Sequence, residues 1–126
     1  MNCKFCLLRE QKIVEAQPLA LLMLDTFPLS PGHMLVIPRR HVASLFDTTN
    51  EERLAMLELL DHAKAVLEKK HQPDGYNIGI NDGAAAGQSI PHLHVHVIPR
   101  YAGDVENPRG GVRWVIPEKA PYWNKG

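Results

Sequence analysis

The chain has 126 residues, 44% of them hydrophobic, and this length suits one compact domain over residues 1–126 better than two. Its 14 basic and 14 acidic residues cancel, so no overall field favours nucleic acid or an anionic membrane. No apolar stretch approaches the roughly 20 residues that span a bilayer and no targeting segment is recognisable, so we expect a cytoplasmic domain that binds neither nucleic acid nor membrane.

The first feature along the chain is a C-x-x-C pair, Cys3 and Cys6, which is too closely spaced to be the structural cross-link of a domain of this size. Such a pair is half of a zinc site, and a structural zinc needs two more ligands. A reduced pair of packed or redox-active thiols is the alternative.

Three strands are predicted in the first third of the chain. Residues 11–16 and 19–25 read as short strands separated by Gln17-Pro18, and Leu29-Ser-Pro-Gly32 contains the residues that form turns. A third strand runs from His33 to Ile37 and ends at Pro38.

From Thr49 the pattern changes to that of one amphipathic helix of about five turns. Its apolar positions recur at helical spacing: Leu54, Leu57, Leu60, Ala63 and Leu67. Thr48 or Thr49, followed by Glu51 or Glu52, predicts a capping box at the start of this helix.

After the helix, Tyr76–Ile80 is a fourth strand, and a loop of small residues leads from Asn81 to Ser89. Three strands, a long helix and two further strands indicate an α+β domain with a mainly antiparallel sheet. Residues 101–126 are rich in glycine and proline but also carry tryptophan, so we interpret them as an ordered C-terminal tail.

The most informative segment follows that loop. His92, His94 and His96 alternate with Leu93 and Val95 in an apolar run that ends at Pro99. In an extended strand the three imidazoles would line one face, because successive side chains point to opposite faces. Histidine titrates near neutrality, so such a row can hold a nucleophile and a proton donor together.

These residues carry a resemblance to a known family. His92-Leu-His-Val-His-Val-Ile98 is similar to the signature of the histidine triad (HIT) family, and Asn81-Asp-Gly83 with Ala86-Gly-Gln-Ser89 looks like its phosphate loop. Pro99-Arg-Tyr-Ala-Gly-Asp104 resembles the bacterial and fragile-histidine-triad-like branch of dinucleoside polyphosphate hydrolases. The resemblance implies a HIT-like fold: five strands, one long helix and a short helix, with the sheet continued across a homodimer.

The resemblance also implies a reaction. His94 would attack the α-phosphate of a dinucleoside polyphosphate or an adenosine phosphoramidate and form a covalent nucleotidyl-histidine, which water then cleaves. His96 would donate a proton, and His92 completes the catalytic row. No catalytic metal is needed in this scheme. Further residues are implied to bind the substrate: Asp25 on the ribose, Phe27 beside the base, and His33, Asn81, Gly87, Gln88 and Ser89 around the phosphate.

Some bacterial members of the family are similar in pairing this C-x-x-C with two histidines, which implies a structural zinc on Cys3, Cys6, His41 and His92. Two other functions stay open from the sequence. The three histidines could chelate a catalytic zinc in a metal-dependent hydrolase. Alternatively, the chain could be a nucleotide-binding module without turnover.

Overall fold

The computed structural model describes residues 3–7 and 12–125 of the chain. Within them, five strands form one sheet in the order β1-β2-β3-β5-β4, and every neighbouring pair is antiparallel. The strands are β1 (Ile13–Ala16), β2 (Ala20–Leu24), β3 (Met34–Pro38), β4 (Gly75–Ile80) and β5 (Val95–Arg100), and helix α1 (Asn50–Lys70) connects β3 to β4. The predicted α+β class and antiparallel sheet are confirmed.

The strand boundaries differ from the predicted ones by small shifts. Gln11, the predicted first residue of β1, lies outside the described residues, and β1 begins at Ile13. Strand β3 starts one residue late and includes Pro38, which pairs with Ala20. The connection from β1 to β2 contains Gln17-Pro18 and that from β2 to β3 contains Leu29–Gly32, as predicted.

Helix α1 begins with the predicted capping box. The Thr49 hydroxyl accepts a hydrogen bond from the Glu52 N–H (3.1 Å), and the Glu52 carboxylate accepts one from the Thr49 N–H (2.9 Å). Arg40 donates to both oxygens of the same carboxylate, which is almost fully buried. The pKa of Glu52 is lowered, chiefly by these hydrogen bonds from Arg40, so the buried group stays ionised.

The buried face of α1 is only partly the predicted one. Ala63 and Leu67 are buried as predicted and Leu60 packs against the core, but Leu54 and Leu57 are each 59% exposed. Met56 and Leu59 pack on the sheet in their place. Leucines surround much of this helix, so its periodicity allows two overlapping stripes, and packing against the sheet selects between them.

The two faces of the sheet are covered differently. On one face, α1 packs on a core that includes Leu93, Val95 and Val97. On the other face, the N-terminal segment packs Cys3 and Phe5 against a second apolar cluster from strands β2 and β3. The histidine row lies between these two cores.

The histidine row begins before the regular strand, which is a second departure from the prediction. Only His96 lies within β5, and the strand continues through Pro99 to Arg100 instead of stopping at Pro99. The predicted alternation still holds, because Leu93, Val95 and Val97 face the helix while the rings of His92 and His94 contact Phe5. The row therefore belongs to the face that α1 leaves open.

Beyond β5, the tail forms three short 3₁₀ turns at Gly111–Val115, Pro117–Lys119 and Tyr122–Lys125. The Arg113 guanidinium donates to the carbonyls of Lys119 and Ala120, which ties the first turn to the end of the second. No helix in the described ranges has the length and hydrophobicity that crossing a membrane requires.

Candidate active site

The ring of His94 is held in one orientation by the backbone two residues before it. Its Nδ1 lies 2.9 Å from the carbonyl oxygen of His92. A carbonyl can only accept, so Nδ1 carries the proton and Nε2 keeps a free lone pair. Phe5 packs its ring edge-on against the imidazole at 5.1 Å between centroids. The neutral ring of His94 therefore presents a bare Nε2, and the ring is held between the His92 carbonyl and Phe5.

A chain of hydrogen bonds fixes the opposite tautomer on His96. The Leu29 N–H donates to His33 Nδ1 (3.1 Å), so the proton of a neutral His33 ring is on Nε2. That nitrogen lies 3.0 Å from His96 Nδ1 and donates to it. The proton of His96 is consequently on Nε2, and this N–H is the donor that the ring can offer to a substrate.

The imidazole rings of His33 and His96 are both neutral at pH 7. Burial lowers the pKa of His33 and of His96, with the neighbouring imidazoles lowering that of His96 further. The Asp25 carboxylate acts in the other direction on each pKa, but it is the smaller influence. The assigned tautomers require neutral rings, because Nδ1 of a doubly protonated His33 could not accept a hydrogen bond from the Leu29 N–H.

Asp25 lies at the outer end of this chain. One carboxylate oxygen accepts from the Phe27 N–H (2.8 Å), and the other is 3.4 Å from His33 Nε2 and 3.9 Å from His96 Nδ1. Atoms of Asp25, His33 and His96 thus lie close enough to surround a cation. Ligation would need a bare Nε2 on His33, whereas the Leu29 N–H keeps the proton there, so we interpret the group as a hydrogen-bond relay.

The loop before the histidine row is shaped by two glycines with left-handed backbones, Gly83 and Gly87, both at φ +93°. The Gln88 side chain stabilises this loop through hydrogen bonds. Its side-chain oxygen accepts from the Gly83 N–H (2.8 Å), and its amide donates to the carbonyls of Ala43 and Ile90. The Gln88 amide was predicted to bind phosphate, but it is engaged within the loop.

The other predicted phosphate ligands differ in how accessible they are. Ser89 is exposed and Asn81 is half-buried beside Gly87. The Gly87 N–H donates to the Ala84 carbonyl (3.0 Å), and His33 is buried in the hydrogen-bond relay.

Asp82, which the sequence analysis did not single out, accepts from the Ser44 hydroxyl (3.0 Å) and the Leu45 N–H (2.9 Å). It ties the start of the loop to the chain that precedes α1. In the sequence, only the position of Asp82 beside Gly83 indicated this role.

Phe27, predicted to flank the base, lies on the rim of the site. Its side chain is 79% exposed. Lys4 from the N-terminal segment reaches across to it, with Nζ 5.1 Å from the ring centroid and 2.8 Å from the Thr26 hydroxyl. Phe27 is thus available for stacking two residues from Asp25.

A second cluster lies behind the histidine row. It contains the four residues predicted to hold zinc, Cys3, Cys6, His41 and His92, although they are up to 89 residues apart in sequence. The His92 Nδ1 is 3.4 Å from Cys3 Sγ, 3.6 Å from Cys6 Sγ and 3.3 Å from His41 Nδ1. A tetrahedral zinc with ordinary Zn–S and Zn–N bonds has ligand separations of about 3.3–3.8 Å. The cluster therefore has the dimensions of a metal site.

His92 is also in the correct tautomer for ligation. Its Nε2 lies 2.8 Å from the Pro38 carbonyl oxygen and must donate to it, so Nδ1 is bare and faces the two sulfurs. Its own carbonyl meanwhile holds His94. The cation-sized groups among the described residues contain either His92 or His96, and neither contains His94. The three rings diverge, which argues against one catalytic ion shared by all of them.

Comparisons with known proteins found several similar domains. The profile of the HIT domain matches residues 9–103. A protein named AP-4-A phosphorylase from Mycobacterium tuberculosis is 38% identical over 96 residues, which are 75% of this chain and 49% of that protein, so the chain spans about half its length. A bis(5'-adenosyl)-triphosphatase from Dictyostelium discoideum is 36% identical over 101 residues, 80% of this chain and 68% of that protein.

Among solved structures, a Zn-bound histidine triad family protein from Mycobacterium smegmatis superimposes with a TM-score of 0.75 at 36% sequence identity. The superposition covers 82% of this chain and 78% of that one.

Proposed function

Because the chain belongs to the HIT domain family, we propose that it is an enzyme that transfers a nucleotidyl group from a dinucleoside polyphosphate to water through a histidine. The observation that carries this proposal is the pairing of two opposite tautomers: His94 with a bare Nε2 and His96 with a protonated one. The names of the relatives, which include a tetraphosphatase and a triphosphatase, support the substrate class.

In the first step, His94 Nε2 attacks the α-phosphorus and a P–N bond forms. The bond from phosphorus to the bridging oxygen breaks, and its electron pair leaves with that oxygen. The Nε2–H of His96 donates a hydrogen bond to this oxygen as charge develops and keeps its proton, and the leaving nucleotide departs as a phosphate anion. Ser89, which is exposed, and the Asn81 side chain are the loop groups suited to hold the non-bridging oxygens.

In the second step, water attacks the same phosphorus and the P–N bond breaks. The water oxygen joins the phosphorus, the protons of the water pass to the released nucleoside monophosphate and to solvent, and the electron pair of the P–N bond returns to His94 Nε2. The Asp25 carboxylate is suited to accept from the two ribose hydroxyls, and Phe27 lies where a base could stack.

An isotope experiment tests where the substrate is cut. Hydrolysis of diadenosine tetraphosphate in H₂¹⁸O is expected to place the label in adenosine monophosphate, because water attacks the α-phosphorus. Mass spectrometry of the two products locates the label. Symmetrical cleavage, or label in the triphosphate product alone, would contradict the proposed site of attack.

We also propose that the cluster of Cys3, Cys6, His41 and His92 holds a structural zinc. Bound zinc would supply no reaction step; it would tie the N-terminal segment to the histidine row. The similarity to a Zn-bound family protein and the tetrahedral separations support this proposal. The reduced thiols that such a site needs suit the cytoplasm.

A homodimer is the third part of the proposal. Strand β4 pairs with β5 on one side, and in the described part of the chain its other edge has no partner. A groove of about 380 Å³ adjoins this edge, lined by apolar residues of α1 and β4 that include Leu57, Leu60 and Ile78. An unpaired antiparallel edge can pair with itself about a twofold axis, so a second copy of the chain fits this surface.

Leu57→Glu is expected to weaken the dimer at least about 100-fold, because it places an unpaired charge in the apolar contact. Sedimentation over a concentration series measures the dissociation constant. Leu19→Glu is the matched control, since Leu19 is also exposed (42%) but lies before β2, away from the β4 edge. Equal dissociation constants for the two variants would rule out this interface.

A further inference from the structure

A groove on the open face of the sheet starts at Ile98, two residues along β5 from His96. On β5, His96, Ile98 and Arg100 point to the face away from the helix, while the alternate residues are buried under it. The groove has a volume of about 490 Å³, within the range of roughly 300–1000 Å³ that is typical of small-molecule sites. Ile98 and its cross-strand partner Asn77 both line it.

The loop that orients the relay also forms one wall of the groove. Leu29 donates its N–H to His33 and lines the groove with its side chain. This loop is fastened to the end of β5 by two hydrogen bonds, from the Ser30 hydroxyl to the Pro99 carbonyl (2.6 Å) and from the Tyr101 hydroxyl to the Pro31 carbonyl (2.7 Å). The wall is therefore fixed relative to His96.

The C-terminal tail forms the opposite wall, through Val105, Gly111 and Val112. Val112 is 64% exposed and Leu29 is 76% exposed, so the groove is lined by two apolar side chains that are open to solvent. Covering both with a ligand would remove apolar surface from water.

The groove offers no unpaired charge among its lining residues. Arg100 donates to both oxygens of Asp104 (2.7 and 2.9 Å) and to the Asn77 side-chain oxygen (2.6 Å). The pairing with Arg100 holds the pKa of Asp104 well below its usual range, so the two charges stay matched. An uncharged group suits such a groove better than a phosphate chain does.

From these observations we infer that the groove binds the second nucleoside of a dinucleoside polyphosphate, the one that departs with the leaving group. The inference rests on the proposed function, since it needs the α-phosphorus at His94. Ile98 is four residues from His94, about 13 Å along an extended chain. A bridging polyphosphate and a ribose can cover this distance, whereas the amine of a phosphoramidate ends beside the phosphorus and would not reach.

The experiment compares kcat/KM for diadenosine tetraphosphate with kcat/KM for adenosine 5′-phosphoramidate. Val112→Trp fills the groove and is expected to lower the ratio of the two values about tenfold. Val115→Trp is the matched control: Val115 lies in the same 3₁₀ turn, is 78% exposed and does not line the groove, so the ratio is expected to stay at the wild-type value. Val105→Trp repeats the test from a second position if Val112→Trp does not fold.

An unchanged ratio in both groove-filling variants would overturn the inference. So would an equal loss on both substrates together with a change in sedimented mass, because the groove would then be a contact between copies of the chain. Turnover of diadenosine tetraphosphate by the wild-type protein separates these outcomes from failure of the proposed function. If the wild-type protein does not turn over diadenosine tetraphosphate, the proposed function itself fails.

Discussion

Replacing His94 by alanine is expected to lower kcat/KM by about 10⁴-fold or more and to abolish any nucleotidyl adduct on the protein. The reason is that His94 supplies the bare Nε2 that attacks, with the His92 carbonyl holding its other nitrogen. Intact-mass analysis after a brief incubation with diadenosine tetraphosphate, quenched within one turnover, detects the adduct. In wild-type protein the added mass is that of one adenylyl group.

Two variants make this result specific. His94→Gln keeps side-chain bulk against Phe5. A loss of activity in this variant therefore comes from loss of the imidazole and not from loss of packing. His62→Ala removes a half-exposed histidine on α1 whose Nδ1 pairs with Glu15 (2.8 Å), and should leave both turnover and adduct at wild-type levels. Turnover by His94→Ala at more than about a tenth of the wild-type rate would contradict the covalent mechanism.

Removal of the proposed zinc is expected to lower the melting temperature by roughly 15 °C. Loss of a structural metal costs more than about 4 kcal/mol, and a domain of this size loses roughly 4 °C per kcal/mol. The physical reason lies in the chain segments that the cluster joins: Cys3 and Cys6 from the N-terminal segment, His41 after β3, and His92 before β5. Without the ion, two sulfurs and two ring nitrogens would face each other with nothing between them.

Calorimetry with and without a chelator, alongside the metal content of the purified protein, measures this effect. The variant Cys3→Ser/Cys6→Ser should melt at the temperature of the chelated wild type and should not respond to chelator. One zinc per chain is expected in the wild type and none in the variant. A metal-free wild type with an unchanged melting temperature would instead favour a packed pair of reduced thiols.

His92 connects the two sites through separate atoms. Its Nδ1 faces the cysteines, its Nε2 donates to the Pro38 carbonyl, and its own carbonyl holds the ring of His94. The sequence predicts His92 both in the catalytic row and among the metal ligands. The geometry accommodates both assignments without giving its ring a role in attack.

Helix α1 shows which of its features local sequence patterns predict and which they do not. The capping box at Thr49 was predictable because it depends on residues three apart, and the bounds of α1 follow from it. The buried face was not, because Leu54 and Leu57 fit a helical stripe as well as Met56 and Leu59 do. The two exposed leucines adjoin the surface where we propose the second copy packs.

The sequence by itself determined the α+β class, the order of strands and helix, and the alternation of His92, His94 and His96 with apolar residues. These features depend on neighbours within a few positions along the chain. Only the tertiary structure decided which proton sits on which ring, since the groups responsible are backbone atoms of His92, Leu29 and Pro38. It also decided that Gln88 braces its loop and that a groove opens at Ile98, because such contacts join residues from distant parts of the chain.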